Sequence, residues 1–169
     1  VICPETKPRP PCRHVDLLAP AEWTALGALD EGDPHLPDLL ALLRAEADGC
    51  HRCACPIEAR LAESPAAATA AFLVLSYIAM DYWDGRPLAA IGRDSAFGRA
   101  IWAVERRLEV AVTAGAGRDE LPAACNEGIL AVLEPRTASY RRQILRELIA
   151  LVRVGRRGTV EDDRSAPGV

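Results

Sequence analysis

From residue 19 onward, apolar stretches at helical spacing alternate with the polar, glycine and proline breaks that end helices. Trp23, Leu26 and Leu29 fall three apart, and Pro20 suits a first helical turn, which predicts a short helix over 19–29. Asp30-Glu31-Gly32-Asp33-Pro34 predicts a turn. Pro37 then opens a second helix through Leu39, Leu40, Leu42 and Leu43, which Gly49 can close as a left-handed cap. A third, short helix is expected to start at Pro56 and carry Ile57 and Leu61. Ser64-Pro65 pairs a capping side chain with a first-turn proline, and the residues from Ala66 to Met80 are apolar apart from Thr69 and Ser76.

That apolar run predicts a central helix buried on all sides rather than a membrane span. Fifteen residues of helix reach about 22 Å, short of a hydrocarbon core near 30 Å. After Gly85 and Pro87, the stretch Leu88 to Ile91 suggests a helical turn or two. Asp94 or Ser95 can cap a long helix whose stripe is Phe97, Ile101, Val104, Leu108 and Val112, with Glu105, Arg106, Arg107 and Glu109 on its wet side. Gly115-Ala116-Gly117 ends it. A further helix over 119–133 carries Cys125 and Gly128 and stops at Pro135, and Ser139 precedes a last helix from Tyr140 to Val154 that Gly155 can cap. No run alternates apolar and polar residues for long enough to make a strand.

The fold class expected is therefore all-α. It is a single-domain helical bundle of about six or seven helices over residues 15–155. A Pro/Cys-rich N-terminal arm, 1–14, precedes it, and a disordered C-terminal tail, 156–169, follows it.

Composition narrows the chemistry. Half of the residues are apolar and few are aromatic, which suits helices packed through Ala and Leu. A chain of 169 residues buries roughly 70% of its unfolded surface, so its six cysteines are not needed merely to make it fold. Their clustering points to metal or redox use rather than a secreted disulfide scaffold, and with no basic-then-apolar leader at the start the expected location is the cytoplasm. The net charge of −4 is uneven: Arg136 to Arg157 holds seven arginines and one glutamate, +6, leaving −10 elsewhere.

The densest candidate site is Cys50-His51-Arg52-Cys53-Ala54-Cys55-Pro56. Zinc takes four tetrahedral Cys or His ligands, and the two-residue spacer of Cys50 and Cys53 lets two thiolates converge on one ion. An extended backbone would put Cys55 on the side of Cys53. The remaining ligands can come from His51, His14, Cys12 or Cys3. Soft thiolates also suit Cu(I) or an iron–sulfur cluster, and thiols beside Arg52 and a helix start suit thiol–disulfide switching without metal. The haem-attachment pattern Cys-x-x-Cys-His is excluded because Ala54 follows Cys53. Cys125, alone on an apolar face, is expected to be a small core residue.

Two further places merit attention. Asp81 and Asp84, three apart at the polar end of the apolar helix, could serve as acid and base in an enzyme of a specialised pathway. Arg142, Arg146, Arg153 and Arg157 form a stripe that suits an acidic protein partner or nucleic acid, or that pairs with the chain's own acidic remainder. No base-reading motif accompanies the stripe, and the common catalytic signatures are absent. The function expected is that of a non-enzymatic intracellular protein with a zinc or redox-responsive cysteine site, acting through another protein.

Overall fold

A computed structural model describes residues 12–14, 18–29, 31–83, 94–117 and 119–165, with side chains as far as 157. The described residues form seven helices and no strand: α1 Pro20–Leu26, α2 Leu36–Ala47, α3 His51–Glu63, α4 Pro65–Tyr82, α5 Ala96–Thr113, α6 Leu121–Leu133 and α7 Ala138–Ser165. Residues 84–93, with the turn expected at Leu88, lie outside the described residues.

Local chemistry sets most of the boundaries. Ser64 Oγ accepts from the backbone N–H of Ala67 at 3.4 Å to start α4, and Ser95 Oγ accepts from that of Gly98 at 2.9 Å to start α5. Gly49, at φ 65°, and Gly115, at φ 94°, end α2 and α5 in the left-handed conformation that a Cβ disfavours. In the first turn, Cys50 N donates to Ala45 O at 2.7 Å and Gly49 N to Glu46 O at 3.1 Å, the paired bonds of a Schellman cap. Cys50 leaves that cap as the first residue of the next corner.

Two boundaries differ from expectation. α3 begins at His51, not Pro56, so the cysteine cluster lies in the helix and Pro56 interrupts its hydrogen-bond ladder from inside. Gly155 is no cap either; it lies within α7, where a Cβ would stand 2.5 Å from Tyr82 Cβ. Glycine is there for close packing, and α7 continues to Ser165 through residues expected in the tail.

α4 is the hub, packed against α1, α3, α6 and α7. Ala68, Ala71, Val74, Ile78 and Ala79 are fully buried, and Phe72 meets Phe97 of α5 at 5.9 Å between ring centroids. Full burial of a Leu or Phe side chain stabilises a fold by about 1.5–3 kcal/mol, so Leu39, Leu43, Leu61, Leu75, Leu145 and Leu148 make this one continuous core. α4 is long and apolar enough to cross a membrane, but packing inside the bundle accounts for its hydropathy. It is not buried on all sides: Tyr77, Met80 and Asp81 are exposed near its end. In α5 the predicted stripe is buried at Phe97 and Val104, where Glu147 of α7 accepts from the Phe97 N–H at 2.6 Å, and it reaches solvent at Val112. Gly128 of α6 fits against Val104 and Arg107 of α5, whose side chains lie 3.8 Å from where its Cβ would stand.

Candidate metal centre

The α2–α3 corner sets two sulfurs side by side. Cys50 precedes the first residue of α3 and Cys53 is the third residue in, so they lie about 60° apart around the helix axis at roughly 100° per residue. Cys55 is two residues beyond Cys53, about 200° around the same axis, and so faces away. The expectation that Cys55 would join Cys53 assumed extended backbone; the helix overturns it, and Cys55 is disulfide-bonded instead.

Residues 12–14 run across this corner and bring the other donors. Cys12, His14, Cys50 and Cys53 each offer a ligand atom within 4.8 Å of every other, a Cys3His set. The Cys50 and Cys12 sulfurs are 3.9 Å apart. A tetrahedral zinc ion with Zn–S bonds near 2.3 Å places its sulfurs roughly 3.8 Å apart, so this pair is spaced as two ligands of one ion would be.

His14 supplies the most telling detail. Its Nδ1 lies 2.7 Å from Asp48 Oδ2, while its Nε2 is buried and has no hydrogen-bond partner among the described residues. A buried ring nitrogen without a partner is costly unless something binds it. A carboxylate on one nitrogen of a ligating imidazole, leaving the other to face the ion, is the common arrangement around metals, because it fixes the tautomer and the ring. Asp48 was not singled out from the sequence. Its contact with His14 spans 34 positions, and the only local signal is its place two residues before Cys50.

The thiols are unequal. Burial alone raises the pKa of Cys50, but hydrogen bonding to its sulfur from the backbone N–H groups of Cys53 and Arg52 and from the Cys53 and Cys12 thiols brings it below its ordinary value. Burial, followed by hydrogen bonding and charge from Cys50 and Cys12, pushes Cys53 up to about 11. A metal would have to displace the Cys53 proton, so binding is coupled to pH. Cys125, half-buried against the core and with its pKa raised by burial, belongs to the packing as expected.

The other sequence candidates are placed elsewhere. Cys3 lies outside the described residues. His51 is exposed and turned toward α7, where its Nδ1 lies 3.0 Å from Arg153. Of the carboxylate pair, Asp84 lies outside the described residues, and Asp81 borders an open cavity of about 450 Å³ with Tyr77 and Thr24.

Three of the four stripe arginines are engaged inside the molecule. Arg142 and Arg146 both donate to Glu58 Oε1, at 2.6 and 2.5 Å, and Arg153 pairs with Glu46, giving one bond of 2.8 Å to its Oε1. Glu46 and Glu58 are buried on the faces of α2 and α3 that meet α7, and buried carboxylates need such partners. Arg142, Arg146 and Arg153 thus pair with the chain's own acids, one of the accounts expected of the stripe. Arg157 alone of the four is exposed and makes no ion pair among the described residues. Sequence reasoning also missed Glu22, fully buried and paired with Arg156 of α7.

Fold and site together define an all-α bundle with a Cys3His cluster at one helix corner, able to hold a metal ion. In comparisons with known proteins, no family model, no curated protein and no solved structure matches the chain.

Proposed function

We propose that the cluster holds one zinc ion and that the ion fastens the N-terminal segment to the α2–α3 corner of a non-enzymatic, intracellular protein. The observation that carries this reading is His14, which offers a ring nitrogen within 4.8 Å of three thiols while Asp48 holds its Nδ1 and its Nε2 is buried without a hydrogen-bond partner among the described residues. Four protein donors fill a tetrahedral shell and leave no open position for water, which marks structural rather than catalytic zinc. Cu(I) commonly takes fewer ligands and softer ones, so the imidazole favours zinc over it.

Four free thiols among the described residues suit a reducing compartment. The disulfide at Cys55 pulls the other way; in a cytoplasmic protein a disulfide belongs to redox sensing, which suits a site whose ligands are themselves oxidisable. Action through a protein partner follows from a segment whose docking depends on a bound ion.

The test is the metal content of protein purified under reducing conditions without added chelator, by elemental analysis. Zinc at one ion per chain is expected. It should fall to background in a Cys50→Ser/Cys53→Ser variant that remains helical by circular dichroism. Wild-type protein that carries no metal and takes up none from zinc solution refutes the proposal.

A further inference from the structure

We infer that Cys12 and Cys50 are the thiols that an oxidant joins, and that the new bond expels the metal while keeping the N-terminal segment fastened. The inference rests on the zinc proposal and adds its regulation. The Cys12 and Cys50 sulfurs are already 3.9 Å apart, and a disulfide needs about 2.05 Å. Cys12 is exposed on a segment with no helix or strand, and Cys50 caps α3 with non-helical backbone, at φ −85° and ψ 79°. Both can shift to close the gap. Cys53 sits within the first turn of α3 and packs against the hydrophobic core, so moving it disturbs the helix.

The two possible pairings have opposite consequences. A Cys50–Cys53 bond would stay inside one helical turn and release the segment as the ion left. A Cys12–Cys50 bond crosses from the segment to the corner, so a reversible tie through metal becomes a covalent one.

The oxidant is a hydroperoxide. One thiolate attacks a peroxide oxygen, the O–O bond breaks, and the departing hydroxide is protonated to water, leaving a sulfenic acid. The second thiolate then attacks the sulfenic sulfur, the S–S bond forms and a second water leaves. Two thiolates, one hydrogen peroxide and two protons become one disulfide and two waters; the sulfurs lose two electrons and the peroxide gains them. Zinc, left with Cys53 and His14 alone, dissociates as the free ion.

The experiment treats the full-length, zinc-loaded protein with hydrogen peroxide. Zinc release is followed with a colorimetric chelator, and the products are mapped by mass spectrometry of unreduced peptides. A Cys12–Cys50 cross-linked peptide is expected, appearing in step with zinc release at one ion per cross-link. Reductant plus zinc should reverse both changes. A Cys53→Ser variant keeps the pair and should give the same peptide. Mapping that yields a Cys50–Cys53 bond, or sulfinic acids with no Cys12–Cys50 peptide, overturns the inference. Failure to load zinc refutes the zinc proposal and, with it, expulsion of metal; the same mapping on that metal-free protein still decides which thiols pair.

Discussion

Oxidation of the metal-free protein should raise its melting temperature by an amount that identifies the pair joined. Cys12 and Cys50 are 38 positions apart. Closing a loop of that length removes about 3.9 kcal/mol of chain entropy from the unfolded state at 25 °C. A Cys50–Cys53 bond closes only three residues, and the same relation gives about 1.6 kcal/mol. In a domain of this size 1 kcal/mol moves the midpoint by about 2–4 °C, so the long loop should add about 8–16 °C and the short one about 3–6 °C. The assay is differential scanning calorimetry of chelator-treated protein before and after peroxide, in a Cys3→Ser/Cys55→Ser/Cys125→Ser background that leaves Cys12, Cys50 and Cys53 as the only cysteines, so that no other disulfide shortens the loop. The zinc-loaded, reduced protein supplies a reference, since zinc at a thousandfold excess over its dissociation constant stabilises by about 4.1 kcal/mol. The reduced, metal-free form should melt lowest of the three. A rise confined to the short-loop range would refute the Cys12–Cys50 pairing whatever the peptide map contained.

Asp48→Asn should leave all four donors in place yet weaken zinc about 10- to 100-fold, because the carboxylate that orients His14 is lost; competition against a fluorescent zinc chelator reads this directly. Zinc affinity should fall as pH is lowered, since metal requires the thiolates and protons compete for them. With Cys53 held up to about 11, some of that competition persists throughout the neutral range, and zinc titrations at stepped pH should show affinity still rising on the alkaline side. Glu22→Ala should cost about 3–5 kcal/mol in urea unfolding, because it leaves the Arg156 guanidinium without its buried counter-charge; a loss under 1 kcal/mol would mean water reaches that pair.

The helices were legible because their ends are written in local chemistry. Ser64, Ser95, Gly49 and Gly115 each act within four residues of themselves, and all four lie where the pattern of apolar and polar positions placed a break. Pro56 misled for the same reason: proline reads as a helix start, but the core contacts of Ala54 and Ile57 hold the turn before it in helical form. That single difference decides Cys55, whose side chain points one way from extended backbone and the other way from a helix. The site was half legible. The spacing of Cys50 and Cys53 is local and carries its own signal, whereas the choice of Cys12 and His14 over His51 depends on where residues 12–14 dock. Asp48 became visible only through that contact. Gly155 shows the limit from the other side, since nothing in the sequence says that Tyr82 lies where its Cβ would be.

The two halves of the cluster differ in how firmly they are held. Cys50 and Cys53 follow a Schellman turn whose last helical residues include Glu46, and Arg153 of α7 reaches both Glu46 and, at 3.0 Å, His51 on the far side of Gly49. Arg142 and Arg146 hold the next turns of α3 through Glu58. Three arginines of the stripe thus brace the corner that carries the two sulfurs. Cys12 and His14 have no such ion-pair frame among the described residues; their side-chain hydrogen bonds there are to Cys50, Cys53 and Asp48, within the site itself. If the proposed ion binds, its binding free energy goes to docking the segment rather than to shaping the corner. Loss of the ion should free residues 12–14 while leaving the helical bundle intact.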